Sequence, residues 1–327
     1  MRKTKVLIWS ALIFFFSISL ILAEEKKAEK YYEAGVEYFN EQNFDEAIVE
    51  FKKAIAIEEN PAYIFNLGLA YYKKGMIQKA IDEYKHSIER AVSLNNDFAL
   101  PHHALGEIYI ELGHYNEAIQ ELKKAVELDP NSVVYYSSLA WACLNNGMKE
   151  EAIENYKKAL SLDYRYFPAH FTLGLIYFEI RDYDNAVLHY KEATQISPDN
   201  AEVHLALGQL YNIKGLYEDA EGELIKALSL NPNLQSAHGY LGEIYYKKGK
   251  YDEAILEYEK SLLLGTQDAS TYYNIACLYS LKKDVVNAIK SLRKAMELDL
   301  KLKENAKADP DFNNIRDSRE FKELILY

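Results

Sequence analysis

Polar and apolar positions along this chain alternate with the period of a helix, and the same pattern returns at a longer period of about 34 residues. His204, Leu207, Gly208 and Tyr211 stand at i, i+3, i+4 and i+7, which places them on one face of a helix. Residues 217–230 show spacings of three and four again. Glycine just past the first stretch and Asn-Pro after the second are typical helix stops. The pattern predicts a pair of helices in each period.

Two small-residue slots define the repeat. An alanine recurs at steps of 33, 38 and then 34 residues, and each copy has glycine or alanine twelve residues earlier. Seven of the eight units place tyrosine three residues after that earlier slot, which accounts for much of the total of 28 tyrosines. One helical hairpin cannot bury its own apolar stripe, so each unit requires the next one. The alanines are Ala47, Ala80, Ala118, Ala152, Ala186, Ala220, Ala254 and Ala288.

This pattern resembles the tetratricopeptide repeat, abbreviated TPR. The units cover residues 28–302, and the second one, from Pro61 to Phe98, is four residues longer than the others. We expect the extra residues, Glu89 to Val92, to add a helical turn. The resemblance implies an all-α fold, a right-handed superhelical solenoid of eight TPR helix-turn-helix repeats with a C-terminal capping helix.

Residues 303–327 continue the resemblance. The sequence Asp309-Pro310-Asp311-Phe312 is similar to the closing segment of many bacterial TPR arrays, where a final helix covers the exposed end of the stack. An uncovered last repeat would leave an apolar face in water. We expect residues 321–327 to be helical. The predicted covering side chains are Phe312, Ile315, Phe321, Leu324 and Ile325.

Residues 1–23 have the pattern of an export segment. Arg2, Lys3 and Lys5 precede an apolar stretch from Val6 to Ala23, and two glutamates follow. Such a segment is typical of a signal peptide cleaved after residue 23. Residues 6–23 are also long enough for an uncleaved inner-membrane anchor. Both alternatives predict an exported chain that is periplasmic or envelope-associated, and the only membrane contact expected is through this segment.

Composition narrows the classes of function. The formal net charge is −12 with no basic block, which disfavours nucleic acid as a partner. No glycine-rich phosphate loop, GxSxG or HExxH is present, and only residues 303–327 follow the repeats. The sequence therefore predicts a protein that is not an enzyme and needs no cofactor.

Two groups of residues have some of the features of a metal site. His102, His170, His204 and His238 occupy one slot of four units, but no cysteine or carboxylate at ligand spacing accompanies them, so packing is the favoured interpretation. Residues 309–320 match several carboxylate positions of a calcium loop, although the required glycine is replaced by Asn314. Capping explains that segment better. No metal is predicted. The two cysteines, Cys143 and Cys277, lie four repeats apart, and no disulfide is expected.

The TPR resemblance implies that first helices of successive repeats line an inner groove, with positions 5, 9 and 12 of each repeat facing inward. Units one to five fill these positions almost entirely with apolar residues; the exceptions are His103, Glu107 and Ser137. Units six to eight are more polar. The predicted partner-binding residues are Tyr32, Val36, Phe39, Phe65, Leu69, Tyr72, Ile110, Trp141, Leu144, Phe171, Leu175 and Phe178.

Apolar side chains that the hairpin core does not require mark an interaction surface. We therefore expect a non-enzymatic scaffold or adaptor that binds an apolar helix or peptide in the groove of repeats 1–5, outside the cytoplasmic membrane. The alternative is a self-associating structural protein that uses the same groove as a homo-oligomer interface. The sequence does not identify the partner or the cellular process.

Overall fold

The computed structural model describes residues 22–265 and 267–326, and this part of the chain is helical apart from turns and short connections. Most of the predicted export segment, residues 1–21, lies outside the described residues. In the described ranges, none of the helices has both the length and the apolar character needed to span a bilayer.

The described residues form two compact units, and the first contains residues 22–169. Its helices pack as consecutive pairs, α1 with α2 through α7 with α8. The helices of this unit are α1 (22–40), α2 (Phe44–Ile57), α3 (Pro61–Lys73), α4 (Ile77–Ser93), α5 (Leu100–Glu111), α6 (Tyr115–Leu128), α7 (Val133–Asn145) and α8 (Lys149–Leu162).

The second unit contains the described residues between 170 and 326, and the division falls inside α9 (Phe167–Glu179). Helix pairs continue here in the same way, and a C-terminal segment of two short helices and a 3₁₀ turn follows them. The remaining elements are α10 (Tyr183–Ile196), α11 (Ala201–Ile213), α12 (Tyr217–Leu230), α13 (Gln235–Lys247), α14 (Tyr251–Leu264), α15 (Ala269–Leu281), α16 (Val285–Leu298), α17 (Leu302–Ala308), the 3₁₀ turn Pro310–Phe312 and α18 (Arg319–Leu326).

Glycine in the small-residue slot lets the two helices of a pair approach closely. A Cβ atom added to Gly208 would lie 2.7 Å from Leu224 Cγ and 3.3 Å from the carbonyl oxygen of Ala220. At Gly174 it would lie 2.5 Å from the ring of Tyr190. The large residue sixteen positions later therefore fills the space that the missing side chain leaves.

The turn inside each pair contains one residue in the left-handed backbone region. Five of these residues are glycines, with φ between 71° and 81°, and Gln42, Arg181 and Lys283 adopt φ of 62° to 64° at the same slot. A left-handed residue ends the helix and lets the turn amides bond back to its last carbonyls. Gly215 thus ends α11, as its position in the sequence predicts.

The four extra residues of the second unit of sequence lengthen a helix. Helix α4 has 17 residues, whereas its counterparts α2, α6 and α8 have 14. Glu89 to Val92 lie within α4, so the predicted extra turn is present.

The C-terminal segment covers the last helix pair. Phe312, Ile315, Phe321 and Ile325 are buried in one cluster with Ala276, Ala288 and Leu292, and Leu324 packs against it half-buried. Helix α18 begins two residues before the predicted start. The residues predicted to cover the end of the stack therefore do so.

Candidate partner-binding surface

The twelve predicted partner-binding residues lie on first helices of the pairs, in α1, α3, α5 and α7 of the first unit and in α9 of the second. None of them is buried. Trp141 and Leu175 are 45% and 39% exposed, and the other ten are half-buried. These side chains are therefore reachable from outside, at least in part.

Several of these rings also pack against the core, which the sequence analysis did not expect. Tyr32 stacks on Tyr63 with ring centroids 4.5 Å apart, and Phe65 stacks on Tyr84 at 5.4 Å. Val36, Phe39 and Tyr72 also contact the main cluster of the first unit. The expectation that the stripe is not needed for hairpin packing is wrong for these residues, because a bulky ring on this face reaches its neighbours while its outer edge stays exposed.

Three of the predicted residues come together in a cavity of about 310 Å³ between α3 and α5. Phe65, Leu69 and Tyr72 form its α3 wall. We call this cavity the α3–α5 pocket; its volume is at the small end of the range for ligand sites. The pocket is lined by Phe65, Leu69, Tyr72, Tyr84, Leu100, His103, Ala104, Glu107, Ile108 and Glu111.

The polar groups of the pocket lie along α5. The hydroxyl of Tyr72 donates to Glu111 Oε1. This bond, and burial after it, raise the pKa of Tyr72 to about 12, so the phenol keeps its proton. His103 Nε2 lies 3.1 Å from Ser138 Oγ. Burial lowers the pKa of His103, and the nearby Glu107 carboxylate opposes that shift, which favours the neutral imidazole.

The other predicted residues of the first unit lie outside this pocket. Phe39 packs edge-on against Phe44, with centroids 5.4 Å apart. The hydroxyl of Tyr32 accepts a 3.1 Å hydrogen bond from Asn66 Nδ2, which ties α1 to α3. Val36, Ile110, Trp141 and Leu144 also do not line the pocket. Three of the twelve residues therefore share a cavity of defined shape, the α3–α5 pocket.

In the second unit, Phe171 contacts Tyr190 at 6.1 Å and Phe178 contacts Tyr183 at 6.0 Å between ring centroids. These contacts join α9 to α10. Leu175 lies on the same helix and is more exposed.

The polar inward positions of the last two pairs are covered by the chain itself. The hydroxyl of Tyr273 donates to Asp309 Oδ2 at 2.8 Å, and that of Tyr246 donates to Asp311 Oδ2 at 2.7 Å. Ser280 Oγ donates to the carbonyl of Asp311 at 2.7 Å. Sequence reasoning assigned residues 309–312 to the end of the stack and missed that they also occupy this surface.

A thiol and two carboxylates meet there. Cys277 Sγ and oxygens of Asp309 and Asp311 lie within 4.8 Å of one another. Asp309 is already engaged by Tyr273 and by the backbone N–H of Asp311 at 2.9 Å, which caps the 3₁₀ turn. Burial and the two carboxylates raise the pKa of Cys277 and keep its proton on. The contacts of these groups are those of a capping segment.

The histidines of the shared slot pair across their own hairpins. His102, His204 and His238 each place Nδ1 2.5 to 2.7 Å from a glutamate oxygen nineteen residues later, on Glu121, Glu223 and Glu257. In the fifth pair the partner is another histidine, His189, at 3.0 Å from His170. The slot therefore joins two helices through a polar contact, rather than through packing alone. The feature of the sequence that predicts this contact is a glutamate nineteen residues after the histidine.

Both cysteines are free and buried. Burial raises the pKa of Cys143 to about 11. Neither thiol is placed to react.

Comparison with known proteins gives a consistent result. A model described as "TPR repeat" matches residues 35–75, 106–147, 145–180, 176–215 and 242–283. A second, "Tetratricopeptide repeat", matches residues 62–93, 201–234 and 269–309. Together these matches span well over half of the 327 residues.

Among curated proteins, Photosystem I assembly protein Ycf3 of Acaryochloris marina is 36% identical over 70 residues, which are 20% of this chain and 42% of that protein. The chain thus aligns with less than two thirds of the length of such relatives. Pseudomonas aeruginosa PilF has a TM-score of 0.52 at 25% identity, covering 65% of this chain and 94% of that one. YrrB, a TPR protein with an unusual peptide-binding site, has a TM-score of 0.51 at 24% sequence identity, and the match covers 55% of this chain and 92% of that one.

Proposed function

Because the chain belongs to the tetratricopeptide repeat family, we propose that it is a non-enzymatic scaffold that binds another protein through an apolar helix or peptide. The all-α fold predicted from the sequence is that of the family. One relative is named as an assembly protein, and that name is compatible with a scaffold role. The geometry of the first unit is the main support for this role.

The α3–α5 pocket is the observation that supports this function best. Phe65, Leu69 and Tyr72 present half-buried apolar surface around a cavity, next to the exposed Leu100. Leaving such surface in water is unfavourable, and burying it against a partner is favourable. Aromatic residues at the rim of a pocket are the usual anchors of an interface, and a helix laid in a groove inserts apolar side chains at this kind of spacing.

Site-specific photo-crosslinking tests the proposal. A photoreactive residue at Leu69 should capture a partner in cells that express the full chain at native level. The same residue at Val92, which is 69% exposed on α4 and outside the pocket wall formed by α3 and α5, is the matched control. Capture from Leu69, lost on Phe65→Ala and absent from Val92, would support the pocket as the binding site.

Equal capture from both positions, or capture that survives Phe65→Ala, would overturn the pocket as the binding site. A crosslinked product with twice the mass of the chain would instead favour the self-associating alternative. Light scattering on the purified chain would then give its oligomeric state.

We further propose that the protein works outside the cytoplasmic membrane, either periplasmic or held to the inner membrane. The basic residues followed by the apolar stretch of residues 6–23 support this location. Cell fractionation and the mass of the mature N-terminus test it. Recovery of the uncleaved chain from the cytosolic fraction would contradict both forms of the proposal.

A further inference from the structure

Glu107 differs from the other polar groups of the α3–α5 pocket because one of its oxygens is buried without a hydrogen bond. Among the described residues, Glu107 Oε1 has no donor in bonding geometry. His103 Nε2 is 3.6 Å away, beyond hydrogen-bonding distance, and its closer partner is Ser138. An acceptor that has lost water and gained no donor costs free energy. This oxygen is therefore suited to a donor that a ligand brings.

The charge of the pocket indicates what kind of donor fits. Glu107 and Glu111 are its two carboxylates, and neither lysine nor arginine is among the residues that line it. The remaining walls are mainly apolar side chains, and the Glu107 side chain is 46% exposed, so a ligand can reach its carboxylate from outside. Tyr72 donates to one oxygen of Glu111 and carries no charge. The negative charge at this edge is thus uncompensated within the pocket.

We propose that the segment bound in the α3–α5 pocket is amphipathic and basic. One of its apolar side chains fills the cavity, and a neighbouring lysine or arginine donates to Glu107 and Glu111. The inference rests on the proposed function, since it names the chemistry of the partner at the same site.

Lysine and arginine are the side chains that meet both requirements. Each carries only donors and a positive charge, and each has an aliphatic stem that can lie along Phe65 and Leu100 while its charged end reaches the carboxylates. A neutral donor would satisfy Glu107 Oε1 but would leave the negative charge of the carboxylates without a positive partner. An acidic segment would be repelled here and by the chain as a whole, whose formal charge is −12.

Three synthetic helical peptides test this inference. They share one face of leucine and phenylalanine and carry lysine, glutamine or glutamate at the same flanking positions. Binding to the full chain is followed by fluorescence anisotropy at low and high salt. We expect the lysine peptide to bind about tenfold more tightly than the glutamine peptide, as a partly desolvated ion pair can provide, and we expect the difference to shrink at high salt.

Variants assign the preference to the pocket. Glu107→Gln combined with Glu111→Gln should bring the lysine and glutamine peptides to nearly equal affinity, mainly by weakening the binding of the lysine peptide. Glu117→Gln removes an exposed carboxylate of α6 in the same unit and is the matched control. Circular dichroism checks that each variant is folded.

The outcomes separate the two proposals. Binding of all three peptides that is lost on Phe65→Ala, with no preference for lysine, would overturn the basic partner and leave the apolar site intact. A lysine preference that persists in the double variant would overturn it too, because the charge would then act elsewhere. If none of the peptides binds, both the pocket and its basic partner are wrong.

Discussion

Tyr72 shows how a single residue serves both packing and the candidate site. Its ring contacts the core cluster of the first unit, while its hydroxyl donates to Glu111 in the α3–α5 pocket. Because the bond to the carboxylate raises the pKa of Tyr72 to about 12, the phenol stays a donor at neutral pH. One side chain thereby fixes a wall of the pocket and the position of a carboxylate.

His103 makes the stability of the first unit depend on pH. Burial lowers its pKa below the ordinary value of 6.5, so the unfolded chain binds a proton more readily than the folded one. The contribution of His103 to the free energy of unfolding is therefore present above pH 6.5 and decreases as the pH falls toward the lowered pKa. We expect the urea midpoint to fall over this range.

His103→Gln provides the control for that titration. Glutamine can still bond to Ser138 but does not titrate, so its urea midpoint should fall less than that of the unmodified chain. The other histidines are the same in both proteins, so their titration contributes equally to the two pH profiles. Identical pH profiles would show that burial of His103 has no effect on stability.

Gln42 tests the backbone requirement of the turn slot. Its φ is 64°, where five other pairs use glycine, and a residue with a Cβ is strained there by about 1 kcal/mol. Gln42→Gly should therefore stabilise the first pair, by about 0.5 kcal/mol once the extra freedom of the unfolded chain is counted. Thermal unfolding measures the change. Gly215→Gln is the reverse substitution and should destabilise the protein. A loss of stability from both substitutions would contradict this explanation.

At the scale of elements, the approach of α11 to α12 depends on one missing methyl group. Gly208 and Gly222 lie in the same hairpin, on α11 and α12. A Cβ at Gly208 would lie 2.7 Å from the buried Leu224, while one at Gly222 meets no atom within 4 Å. The two glycines therefore separate the effect of packing from that of helix propensity.

We expect Gly208→Ala and Gly222→Ala to change stability in opposite directions. Alanine favours a helix over glycine by about 1 kcal/mol, so Gly222→Ala should raise the free energy of unfolding by about that amount. At Gly208 the overlap with Leu224 costs about 1–3 kcal/mol and should outweigh this gain. Urea unfolding of the two variants gives both values. Stabilisation by Gly208→Ala would contradict this explanation, because α11 and α12 could then make room for the methyl group at little cost.

At the scale of the whole molecule, each helix pair is stabilised by its contacts with the neighbouring pair, and the capping segment supplies such contacts for the last pair. Phe312 is completely buried against α15 and α16. Its contacts join residues 309–325 to the last pair through apolar packing as well as through the tyrosine hydroxyls. Because a repeat protein is stabilised mainly by nearest-neighbour contacts, damage to this cap should remain local at first.

Phe312→Ala should destabilise the last pair by about 3–5 kcal/mol, the usual cost of removing a buried phenylalanine. Hydrogen exchange is expected to accelerate in α15 and α16 and to stay unchanged in α3 and α4. Leu263→Ala, at a residue that is 86% exposed, is the control and should change neither. Uniform acceleration along the chain would show that the protein unfolds as one cooperative body.

The sequence by itself determined the helix pairs, the lengthened α4, the close approach at the glycine slot and the residues of the cap. These features depend on spacing within a hairpin or on contact with the adjacent one, so a 34-residue period is sufficient to reveal them. Phe65, Leu69 and Tyr72 could be chosen from the same period, because all three lie on one face of α3.

Only the tertiary structure decided which residues join them. Tyr84, Leu100 and Glu111 reach the α3–α5 pocket from other helices, and their positions depend on how α5 packs beside α3. The occupation of the last inward positions by Asp309 and Asp311 was decided in the same way. Side-chain direction and packing between separate helices determine such contacts, and a one-dimensional period contains neither.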